Sequence, residues 1–256
     1  MLALVAFAPP ALADEPVDLE LVLAADVSLS MDLGELTIQR QGYADAIESP
    51  EVIEAIKSGF NGAIAVVFME WAGVGSHFVT VPWQRIASAD DARRFAAAIR
   101  AAPLNRARRT SISYALQVSL ELFEDNGFQG FRRVIDVSGD GPNNQGEPVL
   151  AARERVLAQG ITINGLPMLI DPPPAAWYNV DDLDVYYEEC VIGGFGAFSV
   201  PIQDIEHFGE AIQRKLILEI AGWTPPPRIV PAQFSPSGYD CLSGERRWME
   251  RMQRFD

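Results

Sequence analysis

The sequence predicts an α/β domain of three layers, with a doubly wound, mostly parallel sheet between two layers of helices. Short apolar runs typical of buried strands alternate with amphipathic stretches at helical spacing, which favours a parallel sheet. Two consecutive strand-like runs separated by glycines indicate one antiparallel edge strand. The chain has 256 residues, of which 48% are hydrophobic, and this is enough to bury a sizeable core.

The first half of the chain begins with a strand. Leu19–Ala25 is a short apolar run and is predicted as a buried strand. Leu33–Ile47 follows with apolar residues at helical spacing, and a further turn or two is predicted over Val52–Ile56. Ala63–Trp71 and Phe78–Pro82 are predicted to form a hairpin. Two amphipathic helices complete this half: Ala89–Ala101 and Ser111–Phe123.

The second half repeats the alternation. Arg133–Ser138 is predicted as a strand, and Glu147–Ala158 as a helix that Gly160 ends. Ile161–Leu169 is the next predicted strand. Three further elements are predicted: a short helix over Asp181–Val191, a short strand over Ala197–Val200 and a long amphipathic helix over Ile205–Ile220.

The start of the chain is typical of an export signal. Met1–Ala13 is uncharged, largely apolar and ends in a small-x-small pattern, but it lacks the usual positively charged start. It is shorter than the roughly 20 apolar residues that cross a bilayer, so no transmembrane segment is predicted. We therefore expect a signal peptide, complete or truncated, over residues 1–13, a domain over residues 14–222, and a periplasmic or secreted protein.

The composition changes after Gly222. Three consecutive prolines exclude a helix directly after this point, so residues 223–256 are predicted as a proline-rich tail with a basic end. Four arginines follow Cys241 and flank Trp248: Arg246, Arg247, Arg251 and Arg254. This basic end either forms a short helix that docks on the acidic body or stays solvated.

Charge excludes several classes of function. Lys and Arg number 20 against 35 for Asp and Glu, a net charge of −15 that opposes general binding to nucleic acid or anionic lipid. Two histidines and two cysteines exclude a multi-histidine metal centre and a four-cysteine zinc site.

Asp136 lies inside a predicted strand, where it is expected to brace the next loop or to pair with Arg132 or Arg133.

The two cysteines are Cys190 and Cys241. In an exported chain they would meet an oxidising compartment, where they can form a disulfide. The alternative is that they are two unrelated thiols. The sequence alone leaves both interpretations open.

Polar side chains follow the first predicted strand at the point where it ends. Asp26, Ser28 and Ser30 alternate with apolar residues, so in extended backbone they share one side. Asp140 follows another predicted strand, and Thr110 opens a predicted helix. Because open parallel sheets bind ligands at the carboxyl ends of their strands, we expect these residues to meet if the two strands are neighbours.

Five oxygen donors from three segments suit a hard divalent cation. Mg²⁺ prefers near-octahedral oxygen coordination, and Mn²⁺ or Ca²⁺ are the alternatives. Without a cation, Asp26 and Asp140 would repel each other and the pKa of one would rise. The pattern D-x-S-x-S alone is equally typical of caps and turns. Its position after an apolar strand, together with Thr110 and Asp140, favours a metal site.

These residues resemble a known site. Asp26-x-Ser28-x-Ser30, Thr110 and Asp140 resemble the metal-ion-dependent adhesion site of von Willebrand factor type A domains, and the predicted element order is similar to that fold over residues 17–221. The chain also resembles an uncharacterised family of secreted bacterial type A-like proteins with no established activity. Four stretches carry this second resemblance: RRVIDVSGDGPNNQG (Arg132–Gly146), GITINGLPM (Gly160–Met168), YYEECVIGG (Tyr186–Gly194) and RKLILEIAG (Arg214–Gly222).

The resemblance implies a role for each site residue. Ser28 and Ser30 would bind the metal directly, and Thr110 would bind it directly in a ligand-bound state or through water otherwise. Asp26 and Asp140 would act mainly through water. The open coordination position would then accept a carboxylate from a partner protein.

One residue departs from the pattern of these domains. They commonly have glycine before the threonine, and Arg109 stands at this position, after Arg108. Its guanidinium either lies near the ion, where it weakens cation binding or attracts an acidic ligand, or both arginines point to solvent and pair with surface acids. The second arrangement is favoured, because long basic side chains usually stay hydrated.

The sequence therefore predicts a non-enzymatic, cation-dependent protein-binding module outside the cytoplasm. The alternative is a Mg²⁺-dependent hydrolase of the phosphatase type on a similar sheet. That chemistry usually needs a second carboxylate two residues after the first and a nearby lysine. Here Ser28 stands two residues after Asp26, and no lysine occurs between Lys57 and Lys215. A serine hydrolase is disfavoured because the chain has no G-x-S-x-G motif.

Overall fold

A mixed sheet of five strands lies at the centre of the computed structural model, which describes residues 14–170, 182–222 and 238–253. The strands are β1 (Glu15–Asp26), β2 (Ile64–Trp71), β3 (His77–Ile86), β4 (Phe128–Gly139) and β5 (Thr162–Pro167). Their spatial order is β3-β2-β1-β4-β5. All neighbours are parallel except β3, which runs antiparallel to β2 at one edge. The predicted fold class and its antiparallel edge strand are confirmed.

Helices cover both faces of the sheet. One face packs on α1 (Leu33–Glu48), α2 (Pro50–Lys57), α3 (Ala89–Ala101) and α7 (Phe208–Ile220). The other packs on α4 (Ile112–Leu122), α5 (Val149–Ala158) and α6 (Leu183–Tyr186). A π-helical turn (Tyr187–Val191) continues α6, a 3-10 turn (Ile205–His207) precedes α7, and α8 (Ser243–Gln253) ends the described chain.

The strand β1 is buried on both faces, which explains its continuous apolar sequence. Leu19, Leu21 and Leu23 pack into the core shared with α1 and α7. Val22 and Ala24 pack into the opposite core with α4 and α5. Side chains of a strand alternate between its faces, so a central strand carries mostly apolar residues, and Glu20 is the charged exception within Leu19–Ala25. The end of β1 consequently lies in the middle of the sheet's carboxyl edge.

Side-chain caps determine where two helices near this edge begin. Asp32 caps α1 through a capping box, in which its Oδ1 accepts from the Glu35 N–H at 2.9 Å and the Glu35 carboxylate accepts from the Asp32 N–H at 2.7 Å. Ser111 caps α4, where its Oγ accepts from the Tyr114 N–H at 3.3 Å. The cap at Ser111 fixes Thr110, the preceding residue, at the start of α4.

The predicted strand Ala197–Val200 is wrong. This segment meets β5 through isolated bridges such as that between Gly165 and Ser199. Gly194 and Gly196 have φ angles of 96° and 72°, in the left-handed region, and they turn the chain just before the predicted strand. The segment still covers the edge of β5, whose backbone groups would otherwise be open to another chain.

Other predicted elements differ at their ends or lie outside the described residues. The predicted helix Asp181–Val191 forms as the short α6 and the π-helical turn after it. The predicted signal peptide over residues 1–13 and the start of the predicted tail, residues 223–237, lie outside the described residues. Of the helices in the described ranges, none combines the length and apolarity that a bilayer crossing requires.

A buried lysine connects β4 to α7. Lys215 Nζ lies 2.5 Å from Asp136 Oδ1 and also pairs with Glu219, and all three residues are at most 2% exposed. Burial, followed by the charge of Glu219, raises the pKa of Asp136 to about 7, and Lys215 opposes this rise. The predicted pairing of Asp136 with Arg132 or Arg133 is therefore wrong. Arg132 instead donates to backbone carbonyls at the end of α7.

A disulfide and two tyrosines attach the C-terminal helix to the domain. Cys190, buried in the π-helical turn, is bonded to Cys241 just before α8, with the two Cα atoms 5.6 Å apart. The ring of Tyr239 packs edge-on against Tyr186 at 6.2 Å, and its hydroxyl donates to Asp182 at 3.0 Å. The start of α8 is thus held against α6 and the turn that follows it.

Candidate metal centre

The strand β1 ends in a polar turn at the middle of the sheet's edge. Asp26 is its last residue and is fully buried. The Ser28 N–H donates to Asp26 Oδ1 at 2.7 Å, which folds the chain back onto the carboxylate. The hydroxyl oxygens of Ser28 and Ser30 lie 2.7 Å apart. The three side chains therefore meet as predicted, but through a turn and not through the extended backbone expected over Asp26–Ser30.

Asp140 reaches the same turn from the neighbouring strand. It follows β4 directly, and β4 pairs in parallel with β1, so both strands end at the same edge of the sheet. The Ser30 hydroxyl donates to Asp140 Oδ1 at 2.8 Å. A continuous series of contacts thus runs from Asp26 through Ser28 and Ser30 to Asp140.

Thr110 faces this series from the start of α4. Its N–H donates to Asn144 Oδ1 at 3.0 Å, and the Asn144 N–H donates back to the Thr110 carbonyl at 2.9 Å. Thr110, Ser28 and Ser30 line one cavity of about 330 Å³. The structure places all five predicted site residues around this edge, with Thr110 in contact with the cavity rather than with the acids.

The two acids resist ionisation in this environment. Burial, and then the charge of Asp140, raises the pKa of Asp26 well above its ordinary value. Burial raises the pKa of Asp140 to about 6, against the effect of the hydrogen bond from Ser30. Two buried carboxylates destabilise each other's charge, and a nearby cation removes this penalty. The electrostatics of the site therefore favour a bound cation.

The donors fit a hard divalent cation. Asp26 Oδ2 is buried and accepts no hydrogen bond from the described residues. Carboxylate and hydroxyl oxygens are the ligand type that Mg²⁺ and Ca²⁺ prefer. The described residues contain no group of three or more His, Cys, Asp or Glu side chains that could hold a metal. A cation at this edge would therefore depend on the hydroxyls of Ser28, Ser30 and Thr110.

Two buried side chains contact the end of β4 next to the site, and the sequence did not predict this role for either of them. Gln39 of α1 is buried, and its Nε2 donates to the Ser138 hydroxyl at 3.3 Å. The one sign of this contact in the sequence is a polar residue in a helix that packs on the core. Tyr187 is fully buried, and a Cβ added to Gly139 would lie 2.8 Å from its hydroxyl. Glycine is thus required there, between the tyrosine and Asp26.

Arg109 has an unusual backbone. Its φ angle of 76° lies in the left-handed region that favours glycine, the residue that type A domains commonly have at this position. The guanidinium lies 3.3 Å from the centre of the Trp248 ring, in a cation–π contact. The expectation that both arginines point to solvent is therefore wrong for Arg109. Arg108 is exposed at the cavity and pairs with no acid among the described residues.

Asn143 joins the loop after β4 to two helices. Its Oδ1 accepts from the Ser113 N–H of α4 at 3.0 Å. Its Nδ2 donates to Glu245 of α8 at 2.7 Å. Of the two alternatives for the basic end, the structure contains the docked helix.

Comparisons with known proteins agree with this architecture. The family profile described as "Protein of unknown function (DUF1194)" matches residues 16–224. A search of curated proteins found no match to the sequence.

Solved structures show the same fold at low sequence identity. Proximal thread matrix protein 1 from the mussel byssus is 14% identical with a TM-score of 0.58, covering 82% of this chain and 49% of its own, so this chain spans about half its length. A second structure of that protein is described with zinc in its MIDAS motif (12% identity, TM-score 0.56, 80% of this chain, 46% of that one).

Two bacterial proteins share the fold as well. The pilus adhesin SpaC from Lactobacillus rhamnosus GG is 11% identical with a TM-score of 0.58, over 82% of this chain and 31% of that one. A von Willebrand factor type A protein from Catenulispora acidiphila is 14% identical with a TM-score of 0.53, over 80% and 43%. The chain therefore belongs to the family of unknown function DUF1194, and its domain has a von Willebrand factor type A-like fold.

Proposed function

We propose that this protein is a divalent-cation-dependent protein-binding module that acts through a metal-ion-dependent adhesion site. The observation that carries the proposal is the series of contacts from Asp26 through Ser28 and Ser30 to Asp140, beside an open cavity. A buried acid beside a half-buried one, both with raised pKa values, is costly in a purely structural turn and is typical of functional sites. The zinc described in the MIDAS motif of the mussel protein supports the same assignment.

The site residues would share the cation between direct and water-mediated contacts. Ser28 and Ser30 would bind it directly, Thr110 directly or through water, and Asp26 and Asp140 mainly through water. Mg²⁺ is the proposed cation, and Mn²⁺ or Ca²⁺ would substitute for it. The bound cation supplies an electrophilic position that accepts an oxygen ligand.

A partner protein that presents a carboxylate is the proposed ligand. The exposed Arg108 adds positive charge at the cavity of a chain with a net charge of −15. This local reversal of sign favours an anionic group. The fold neighbours described as a pilus adhesin and a thread matrix protein are in keeping with protein binding. Nucleic acid is disfavoured by the overall charge.

We place the module outside the cytoplasm, in the periplasm or secreted. The signal-like pattern of residues 1–13 supports export. A disulfide between Cys190 and Cys241 persists in oxidising compartments, so we propose that this bridge forms in the exported protein. The proposed type A-like domain covers residues 14–222, and the proposed tail covers residues 223–256.

A Mg²⁺-dependent hydrolase remains the alternative, and the described geometry gives it less support. Ser28 occupies the position where the hydrolase would need a second carboxylate. Lys215 is buried against Asp136 and Glu219 and serves to attach α7 to β4. We therefore favour a non-enzymatic role. Phosphatase and esterase screens test this directly, because metal-dependent turnover that Asp26→Ala abolishes would establish the enzyme instead.

Thermal unfolding tests the cation site. The purified chain is unfolded with chelator and then with Mg²⁺, Mn²⁺ or Ca²⁺, beside Asp26→Ala and the control Glu54→Ala, which removes an exposed acid of α2. A ligand of the native state at a hundredfold excess over its Kd stabilises by about 2.7 kcal/mol. We expect a cation-dependent rise in Tm in the wild type and the control, and none in Asp26→Ala. An absence of any shift with all three cations would refute the site.

A further inference from the structure

The helix α8 lies at the mouth of the cation site. Trp248 lines the same cavity as Ser28, Ser30 and Thr110, although it is more than a hundred residues away in sequence from each of them. The helix therefore contributes one wall of the cavity, and the loops after β1 and β4 and before α4 contribute the others.

Several contacts hold this wall in place. The disulfide from Cys241 to the buried Cys190 precedes the helix. Glu245 accepts from Asn143 Nδ2 at 2.7 Å, on the loop that also carries Asp140. Gly244 packs so closely that an added Cβ would lie 2.1 Å from the Asn143 carbonyl oxygen. A disulfide, a partly buried hydrogen bond and a close backbone approach together specify one position for α8.

On the side of the site, Arg109 makes the contact with α8. Arg109 keeps a left-handed backbone that glycine would adopt without strain. The same residue, in this strained backbone, contacts the Trp248 ring through its guanidinium. The helix lies beyond residue 224, where the match to the family ends. Arg109, the residue next to Thr110, thus contacts a helix that lies outside the matched residues.

The wall limits what can enter. The cavity of about 330 Å³ is near the lower end of the range for pockets that bind small ligands, about 300–1,000 Å³. A carboxylate side chain is small enough to enter this volume. Trp248 lines the same cavity as the hydroxyls of Ser28 and Ser30, so a carboxylate that reaches them must enter beside the indole ring.

We propose that α8 is a steric selector, which restricts the cation site to an acidic side chain carried on a slender, extended segment such as a loop tip or a chain end. The inference rests on the proposed function, because the cation and the exposed Arg108 provide the attraction for the acid. Specificity then comes from the clash that the Trp248 wall imposes on bulkier partners.

Two peptides with the same glutamate test the selector. One is the extended Gly-Gly-Glu-Gly-Gly, and the other carries the glutamate at the centre of a stapled alanine helix. The full chain is first loaded with Mn²⁺, and binding of the ion is followed by electron paramagnetic resonance. Water-proton relaxation of the Mn²⁺ complex then gives the affinity of each peptide.

Three variants accompany the unmodified chain. Trp248→Ala removes the wall, and Gly244→Val displaces α8 while it keeps the tryptophan. Met249→Ala is the matched control, because this neighbouring side chain is 54% exposed and does not line the cavity. None of the three residues belongs to the core clusters on the two faces of the sheet. Circular dichroism checks that each variant is folded, and its affinity for Mn²⁺ alone checks that the loop carrying Asp140 is unchanged.

We expect the unmodified chain and Met249→Ala to prefer the extended peptide by about tenfold or more. The preference should fall below about threefold in Trp248→Ala and Gly244→Val. Equal affinity for both peptides in the unmodified chain, or an unchanged preference in the two wall variants, overturns the selector. Binding of Mn²⁺ without either peptide overturns the acidic ligand. A failure to bind Mn²⁺ overturns the proposed function, and the selector with it.

Discussion

Replacing Asp140 with asparagine should stabilise the domain when no cation is present. Burial raises the pKa of this carboxyl from 3.8 to about 6 in the folded chain. The folded state then binds more protons than the unfolded state between these values, so stability falls as the pH rises through this interval. The loss is nearly complete about one pH unit above the folded pKa. Asparagine does not ionise, so the variant avoids this loss of stability, and its side-chain oxygen still accepts a hydrogen bond from Ser30.

The size of the effect follows from the pKa shift. A rise from 3.8 to about 6 is roughly two pKa units, which at 1.36 kcal/mol each give about 3 kcal/mol as an upper value at pH 8. For a domain of this size, about 3 kcal/mol corresponds to a Tm higher by roughly 6–12 °C. Mg²⁺ at a hundredfold excess over its Kd should stabilise the wild type by about 2.7 kcal/mol and do little for Asp140→Asn. With the cation, the two proteins should therefore become about equally stable.

Urea or thermal unfolding at pH 8 and at pH 4.5 measures these differences, in chelator and in Mg²⁺, with Glu54→Gln as the control at an exposed acid. The advantage of Asp140→Asn should appear at pH 8 in chelator and shrink at pH 4.5. A variant that is less stable than the wild type in chelator at pH 8 would refute the reasoning. Equal stabilisation of both proteins by Mg²⁺ would refute the role of Asp140 at the cation site.

Three further predictions concern the supports of the site. Asp136→Asn should reduce the loss of stability that the wild type shows between pH 5 and pH 8, measured by urea unfolding in chelator. Burial raises the pKa of Asp136 to about 7, so the folded wild type must release that proton as the pH rises. An unchanged dependence of the free energy of unfolding on pH contradicts this. Cys241→Ser should lower the free energy of unfolding by up to about 4 kcal/mol, since the bridge spans 51 residues, and the difference should vanish under reducing conditions. Arg109→Gly should be about 1 kcal/mol more stable than Arg109→Ala, because the φ angle of 76° suits glycine, and equal stabilities would exclude a left-handed backbone at this position.

The central strands were predictable because burial on both faces leaves a continuous apolar run. Leu19–Ala25 and Ala63–Trp71 lie within or almost within the observed β1 and β2. The start of β4 was missed, since Phe128–Phe131 alternates between half-buried and exposed residues. The wrong strand at Ala197–Val200 has a similar cause, because its conformation depends on glycines and on the edge of β5 rather than on its own pattern.

The meeting of the candidate site residues was predictable only in part. Extended backbone was expected over Asp26, Ser28 and Ser30, whereas β1 ends at Asp26 and a turn brings the two serines together with it. The approach of Asp140 depends on β4 pairing with β1, which the sequence supports only through the fold class. The contact of Trp248 with the site depends on a docked helix far along the chain, and no local pattern indicates it.

The bond between Cys190 and Cys241 gives the chain a second covalent path around the residues between them. A protease that cut once anywhere in this interval would leave a single molecule, and its two pieces would separate only after reduction. The helix that carries Trp248 would remain attached to the body of the protein after such a cut. In the exported location proposed above, where proteases are abundant and reductants scarce, the wall of the proposed cation site would thus outlast the peptide connection that leads to it.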